Sequence, residues 1–197
     1  MKHLPTLLLL LAFGISIGAA AAASAAESAA GDDALWQQLR AGEAAALMRH
    51  ALAPGTGDPA SFALGDCTTQ RNLSAEGRAQ AEAIGARFRT HGIDAARLYS
   101  SQWCRCLDTA RLLALGEVQP FPGLNSFFRN RDAEPERTAA AIDLIRAETR
   151  PGAPPLVLVT HQVNITALTD VFPGSGEIVL VRPEGARLEV LGRISTR

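Results

Sequence analysis

Ala44-Ala45-Ala46-Leu47-Met48-Arg49-His50-Ala51 is a short apolar run that stops at a histidine with an arginine beside it. A Gly/Pro-rich loop follows, Pro54-Gly55-Thr56-Gly57-Asp58-Pro59. Later in the chain Leu156-Val157-Leu158-Val159-Thr160 has the same form and stops at His161. Apolar runs of this length, bounded by turn residues, read as buried strands. Two strands that each end in a histidine, with arginines close by, point to phosphate chemistry.

Working outward from these runs, strand and helix alternate. Residues 32–42 read as a short amphipathic helix with Leu35, Trp36 and Leu39 on its apolar side, ended by Gly42. A long polar loop after His50 reaches Asn72, and Ser74 can cap the next helix, whose apolar face is expected at Ala79, Ala83, Ile84 and Phe88. Residues 96–100 read as a strand, 104–115 as a helix, 117–121 as a short strand, 136–149 as a helix and 164–171 as a last helix. Two apolar stretches, 177–182 and 187–191, flank Pro183-Glu184-Gly185-Ala186 and read as a hairpin. The pattern predicts an α/β fold, a three-layer α/β/α sandwich with a mostly parallel central sheet. In such sheets sites form at the carboxyl ends of strands, where both histidines fall.

The chain is 197 residues long and opens on Met1-Lys2-His3, then an apolar stretch that gives way to small residues and Ala23-Ser24-Ala25. That order predicts a secretory signal peptide over residues 1–25, and a single domain over 26–197 that is exported, hence periplasmic or secreted. The alternative is a retained membrane anchor, since the stretch approaches the roughly 20 residues that span a bilayer. Its second half, mostly Ala and Gly, favours cleavage, which would leave no membrane span. Lys and Arg total 19 against 20 Asp and Glu and are dispersed, so no basic stripe for nucleic acid is present. A phosphate site must therefore be built locally from a few arginines. No Asp/Glu/His cluster has ligand spacing, so neither metal nor other cofactor is expected.

Three cysteines remain: Cys67, Cys104 and Cys106. An oxidising compartment would preserve a disulfide if geometry allows. Cys104 and Cys106 are two apart at a helix start and do not face each other. Cys67 is then expected to pair with one of them, leaving an odd thiol; the alternative is three reduced thiols.

Arg49-His50, the segment Tyr99-Ser100-Ser101-Gln102-Trp103-Cys104-Arg105 with Asp108-Thr109-Ala110, and Val159-Thr160-His161 together resemble the histidine phosphatase superfamily, the phosphoglycerate mutase-like fold. The run Arg71-Asn72-Leu73-Ser74-Ala75-Glu76-Gly77 also resembles that family's segment between its first two motifs. The family's first motif is Arg-His-Gly, and here Ala51 replaces the glycine. Arg-His-Ala is similar to the exported members that resemble the lipopolysaccharide core heptose phosphatase. The resemblance implies that His50 attacks phosphorus to form a phosphohistidine, with Arg49, Arg105 and His161 around the phosphoryl oxygens.

Thr56, Asn125 and Gln162 should lie at the same sheet edge and could contact substrate. The proton donor departs from the family pattern. Where the family places a Glu after the third strand, in a Leu-x-Glu context, this chain reads Leu124-Asn125-Ser126, and the place of an Asp after the second histidine is held by Gln162. Asp58 and Glu134 are the replacements expected, with Asp66 and Asp132 behind them. Without an acid, the site should favour leaving groups that need little protonation. The reading is an exported phosphomonoesterase acting on a small-molecule or envelope phosphate ester. The alternative is a catalytically weak phosphate-binding protein of the same fold.

Overall fold

In a computed structural model, which describes residues 31–196, six strands form one sheet in the order β3-β2-β4-β1-β5-β6. The strands are β1 (Ala45–Arg49), β2 (Arg97–Ser100), β3 (Val118–Pro120), β4 (Leu156–Thr160), β5 (Ile178–Glu184) and β6 (Arg187–Ile194). The first four run parallel, while β5 lies antiparallel on β1 and carries β6 as a hairpin partner. The predicted mostly parallel sheet is present. The expected signal sequence and its cleavage point lie outside the described residues.

Because side chains alternate along a strand, each central strand feeds two cores. Ala46 and Met48 of β1, Val157 and Val159 of β4, and Ile178 and Leu180 of β5 face one layer. That layer holds α1 (31–40), α2 (Ala75–Thr90) and α3 (Cys104–Leu113). Ala45, Leu47, Leu156, Leu158, Val179 and Val181 face the other, made by α4 (Glu134–Glu148) and α5 (Gln162–Thr169). Burial on both faces is why these strands read as continuous apolar runs.

Ser74 caps α2 as expected, accepting from the Gly77 amide. The buried face of α2 differs from the expected one: it is Gly77, Ala81, Ile84, Gly85 and Phe88, and Ala79 and Ala83 are exposed. Close approach explains the difference. A Cβ on Gly77 would sit 2.0 Å from the Leu52 carbonyl oxygen, and one on Gly85 2.2 Å from that of Leu113. Helix α4 starts two residues before its expected position, at Glu134 with Pro135 behind it, a proline position suited to a first helical turn.

The chain crosses from β1 to β2 over one face, with α2 between them, and from β4 to β5 over the other, with α5 between them. Strands β1 and β4 are neighbours, so the connections diverge between them. Such a divergence opens a crevice at the carboxyl ends of the two strands. His50 and His161 are the first residues past those ends.

Candidate active site

Pairing of Arg49 with Thr160 puts the ends of β1 and β4 level, and the His50 amide continues the ladder to the Thr160 carbonyl at 2.9 Å. The Ser101 amide makes the equivalent bond to Val159, which brings the end of β2 to the same line. Both histidines are buried, with ring centroids 5.6 Å apart. His50 Nδ1 lies 2.8 Å from the Ala51 carbonyl oxygen. A carbonyl can only accept, so Nδ1 carries the proton and Nε2 keeps its lone pair. Burial first, and then the charge of Arg105, hold the His50 pKa down at about 3. The ring is therefore neutral at any ordinary pH. The Ala51 amide donates to Thr109 Oγ1 at 3.0 Å, and that hydroxyl donates to the Arg105 carbonyl, so the segment past His50 is fixed to α3.

His161 is also held neutral, by burial first and then by Arg105. Arg105 Nη2 approaches its Nδ1 at 3.4 Å, and Nε2 lies 2.8 Å from Ser101 Oγ. Guanidinium donates only, so Nδ1 accepts and Nε2–H donates to the serine. Asn125 backs this arrangement: its Oδ1 accepts from Ser101 Oγ and the Gln102 amide, and its Nδ2 donates to Gln102 Oε1. With its amide so engaged, Asn125 does not line the cleft. It supports the site from behind, which corrects the expectation of a substrate contact.

Arg105 sits in the first turn of α3 and is almost fully buried. Asp58 grips it through two bonds, 2.6 Å to Nη1 and 3.2 Å to Nη2. Asp58 also accepts from the Arg71 amide and the Trp103 indole. Burial alone would raise the Asp58 pKa, but these bonds and the Arg105 charge outweigh it, and the net shift is downward. A carboxylate so held is a brace for Arg105, which displaces the expected role of proton donor. Arg71, whose sequence context alone marks no role, joins Arg49 and Arg105 in lining the cleft. Burial and then the Arg105 charge lower the pKa of both Arg49 and Arg71. The Nε atoms of Arg49 and Arg105 are buried without a hydrogen-bond partner among the described residues. Three crowded guanidinium groups with unspent donors are an anion site in waiting, because both the repulsion and the unpaired N–H groups are relieved by an anion.

The cleft over these groups has a volume of about 940 Å3. Thr56, Gln162, Glu134 and Asp170 line it. Asp66 and Asp132 do not: Asp66 caps the 3-10 turn Cys67–Thr69, and Asp132 is exposed in the turn before α4. Phe127 is buried in the core, whereas Phe128 is 48% exposed and lines the cleft together with Phe62, Trp103 and Phe172. Cys67 and Cys104 are joined, and Cys106 is free and buried. Among the described residues no group of three or more His, Cys, Asp or Glu could hold a metal ion.

The model of the histidine phosphatase superfamily, branch 1, matches residues 46–127, which span His50, Arg71, Arg105 and Asn125. That stretch of the chain is similar to the histidine phosphatase superfamily. No curated protein sequence matches it. Solved structures with the same fold include the protein histidine phosphatase SixA with tungstate, at 15% identity over 78% of this chain and 97% of that one, TM-score 0.53. Mycobacterial glucosyl-3-phosphoglycerate phosphatase with VO3 aligns at 16% identity over 75% and 97%, TM-score 0.55. A variant phosphoserine phosphatase from Entamoeba histolytica, bound to phosphoserine, aligns at 18% identity over 78% and 98%, TM-score 0.50. At these identities the likeness is one of fold. The chemistry of this chain has to be read from its own cleft.

Proposed function

We propose that this chain is an exported phosphomonoesterase that works through a phosphohistidine on His50. One observation carries the reading: a buried, neutral imidazole, oriented by the Ala51 carbonyl, faces a cleft lined by Arg49, Arg71 and Arg105. Nε2 of His50 forms a bond to phosphorus as the bond to the leaving oxygen breaks, and that oxygen takes a proton from a cleft group or from solvent and departs as the alcohol. Water then attacks phosphorus, the P–N bond breaks, and inorganic phosphate leaves. Charge in such transition states spreads over the phosphoryl oxygens, where preorganised cations act most strongly. An arriving dianion also offsets the Arg105 charge on His161, which raises the proton affinity of that ring. Export rests on residues 1–25 and is supported by the Cys67–Cys104 bond, which suits an oxidising compartment. The substrate is a small-molecule or envelope phosphate ester.

Intact-protein mass spectrometry after brief mixing with acetyl phosphate or p-nitrophenyl phosphate tests this. An acid-labile phosphate adduct, absent from His50→Ala, is the expected result. The second reading, a phosphate-binding protein with little turnover, is favoured by the engagement of Asp58 with Arg105 and by the lack of a carboxylate at the two familiar acid positions, in Leu124-Asn125-Ser126 and at Gln162. Phosphate that protects the fold against heat, with neither adduct nor turnover, would support it.

A further inference from the structure

The cleft holds more positive charge than one phosphate requires. Six arginines line it (Arg49, Arg71, Arg105, Arg129, Arg131 and Arg137), against the carboxylates of Asp58, Glu134 and Asp170. That leaves a surplus of three. The inner trio with Asp58 carries two, and a phosphoryl dianion cancels them. The remaining charge belongs to the outer trio, which lies within nine residues, Arg129 and Arg131 before α4 and Arg137 in its first turn.

The outer trio is lightly committed. Arg131 is 3.7 Å from Glu134. Arg129 donates to the Pro59 carbonyl, and Arg137 donates through Nη1 to the carbonyls of Asn125 and Ser126. Neither Arg129 nor Arg137 has a carboxylate partner among the described residues, although arginines such as Arg78, Arg87 and Arg97 elsewhere on the protein do. Of the arginines, Arg105, Arg71 and Arg49 are the ones whose charge acts on His50 and His161, and the outer group is not among them. The cleft volume is near the top of the ~300–1,000 Å3 range of small-molecule sites, far more than a bare phosphate fills. Phe128 and Phe172, 48% and 70% exposed, offer apolar surface in the same cleft.

We propose that Arg129, Arg131 and Arg137 form a second anion subsite, and that the substrate is a phosphate ester whose leaving group carries another acidic group, phosphate or carboxylate, on an apolar linker. This rests on the phosphatase reading above. The test compares n-propyl phosphate with 1,3-propanediol bisphosphate and 3-phosphooxypropionate, using p-nitrophenyl phosphate to report basal turnover. The doubly anionic esters should show at least about 10-fold higher kcat/KM, mostly through KM, with the advantage shrinking in added salt. In Arg129→Gln combined with Arg131→Gln, both exposed positions, the ratio between doubly and singly anionic esters should fall toward one. Whichever acidic group gives the larger ratio identifies the second anion. Equal kcat/KM for all esters, with p-nitrophenyl phosphate still hydrolysed, overturns the subsite and leaves the phosphatase reading standing. If nothing is hydrolysed, that reading fails and thermal protection decides: bisphosphate protecting no better than inorganic phosphate overturns the subsite, and stronger protection lost in the double variant supports it.

Discussion

Asp58 holds Arg105 at 2.6 and 3.2 Å, with both side chains more than nine-tenths buried. This pair decides where the central cation of the cleft points. Asp58→Asn leaves Arg105 buried without its counter-charge, a change that costs about 3–5 kcal/mol when a buried pair is broken. Turnover of p-nitrophenyl phosphate should fall by about 10²-fold, the cost of a misplaced catalytic group. Phosphate affinity should hold or rise, because a negative charge beside the anion has gone. Denaturant unfolding, kinetics and phosphate titration measure the three effects. Loss of only the alkaline limb of the kcat profile would return Asp58 to the role of acid.

His50 makes stability depend on pH. Its folded pKa is about 3, below the ~6.5 of an unfolded histidine, so between those values the unfolded chain binds the extra proton. Its stability contribution is complete above pH 6.5 and declines as pH falls toward 3, by up to about 1.4 kcal/mol per pH unit. His161 acts in the same direction. Urea unfolding of His50→Asn between pH 6 and 4.5 should show a shallower slope than the wild type. Equal slopes would mean that His50 is not held neutral.

Glu134 tests the missing acid. It lines the cleft with no brace like that of Asp58, its ion pair to Arg131 being a loose 3.7 Å. If it protonates the leaving oxygen, Glu134→Gln slows alkyl phosphates by about 10²-fold and leaves acetyl phosphate nearly untouched. Equal effects on alkyl phosphates and acetyl phosphate would remove Glu134 from the proton path.

Cys106 and the disulfide should behave oppositely. Burial pushes the Cys106 thiol up to about 12, so a thiol reagent should find no cysteine in the folded protein and one after unfolding. Closing a 37-residue separation contributes about 4 kcal/mol by loop entropy. Reduction should lower the unfolding free energy by about that much. It should also lower kcat, because Cys104 adjoins Arg105 and donates its amide to Gln70, next to Arg71.

Gly85 and Gly77 separate packing from chemistry. Gly85→Ala drives a methyl into the Leu113 backbone and should cost about 1–3 kcal/mol with kcat unchanged. Gly77→Ala meets Leu52, two residues past His50, and should lower stability and kcat together. A Gly77→Ala enzyme with full kcat would show that the 51–53 segment can shift freely.

The sheet and its two histidines were legible because β1 and β4 are buried on both faces and end abruptly at polar residues. Arg49 and Arg105 were legible through the motifs around them. The face of α2 was misread because apolarity undervalues glycine: Gly77 and Gly85 are buried by backbone contact. Asn125 was placed at the right sheet edge, but its hydrogen bonds to Ser101 and Gln102 are non-local and leave no local pattern. The same holds for Asp58, whose partners Arg71, Trp103 and Arg105 are distant in sequence. The outer arginines could be counted in the sequence, yet only the fold brings 129–137 against the loop after His50.

The two ends of the sheet also bear on how the molecule meets copies of itself. At one edge β3 is three residues long and ends in Pro120, which has no amide hydrogen to offer a further strand. At the other, β6 carries Arg187, Glu189 and Arg193, and a register shift at Leu180/Val181 bends its pairing with β5. Short, charged or irregular edges discourage strand addition between molecules. The central sheet therefore offers little template for growth at either edge, and the exposed aromatic surface of Phe128 and Phe172 lies instead at the mouth of the cleft.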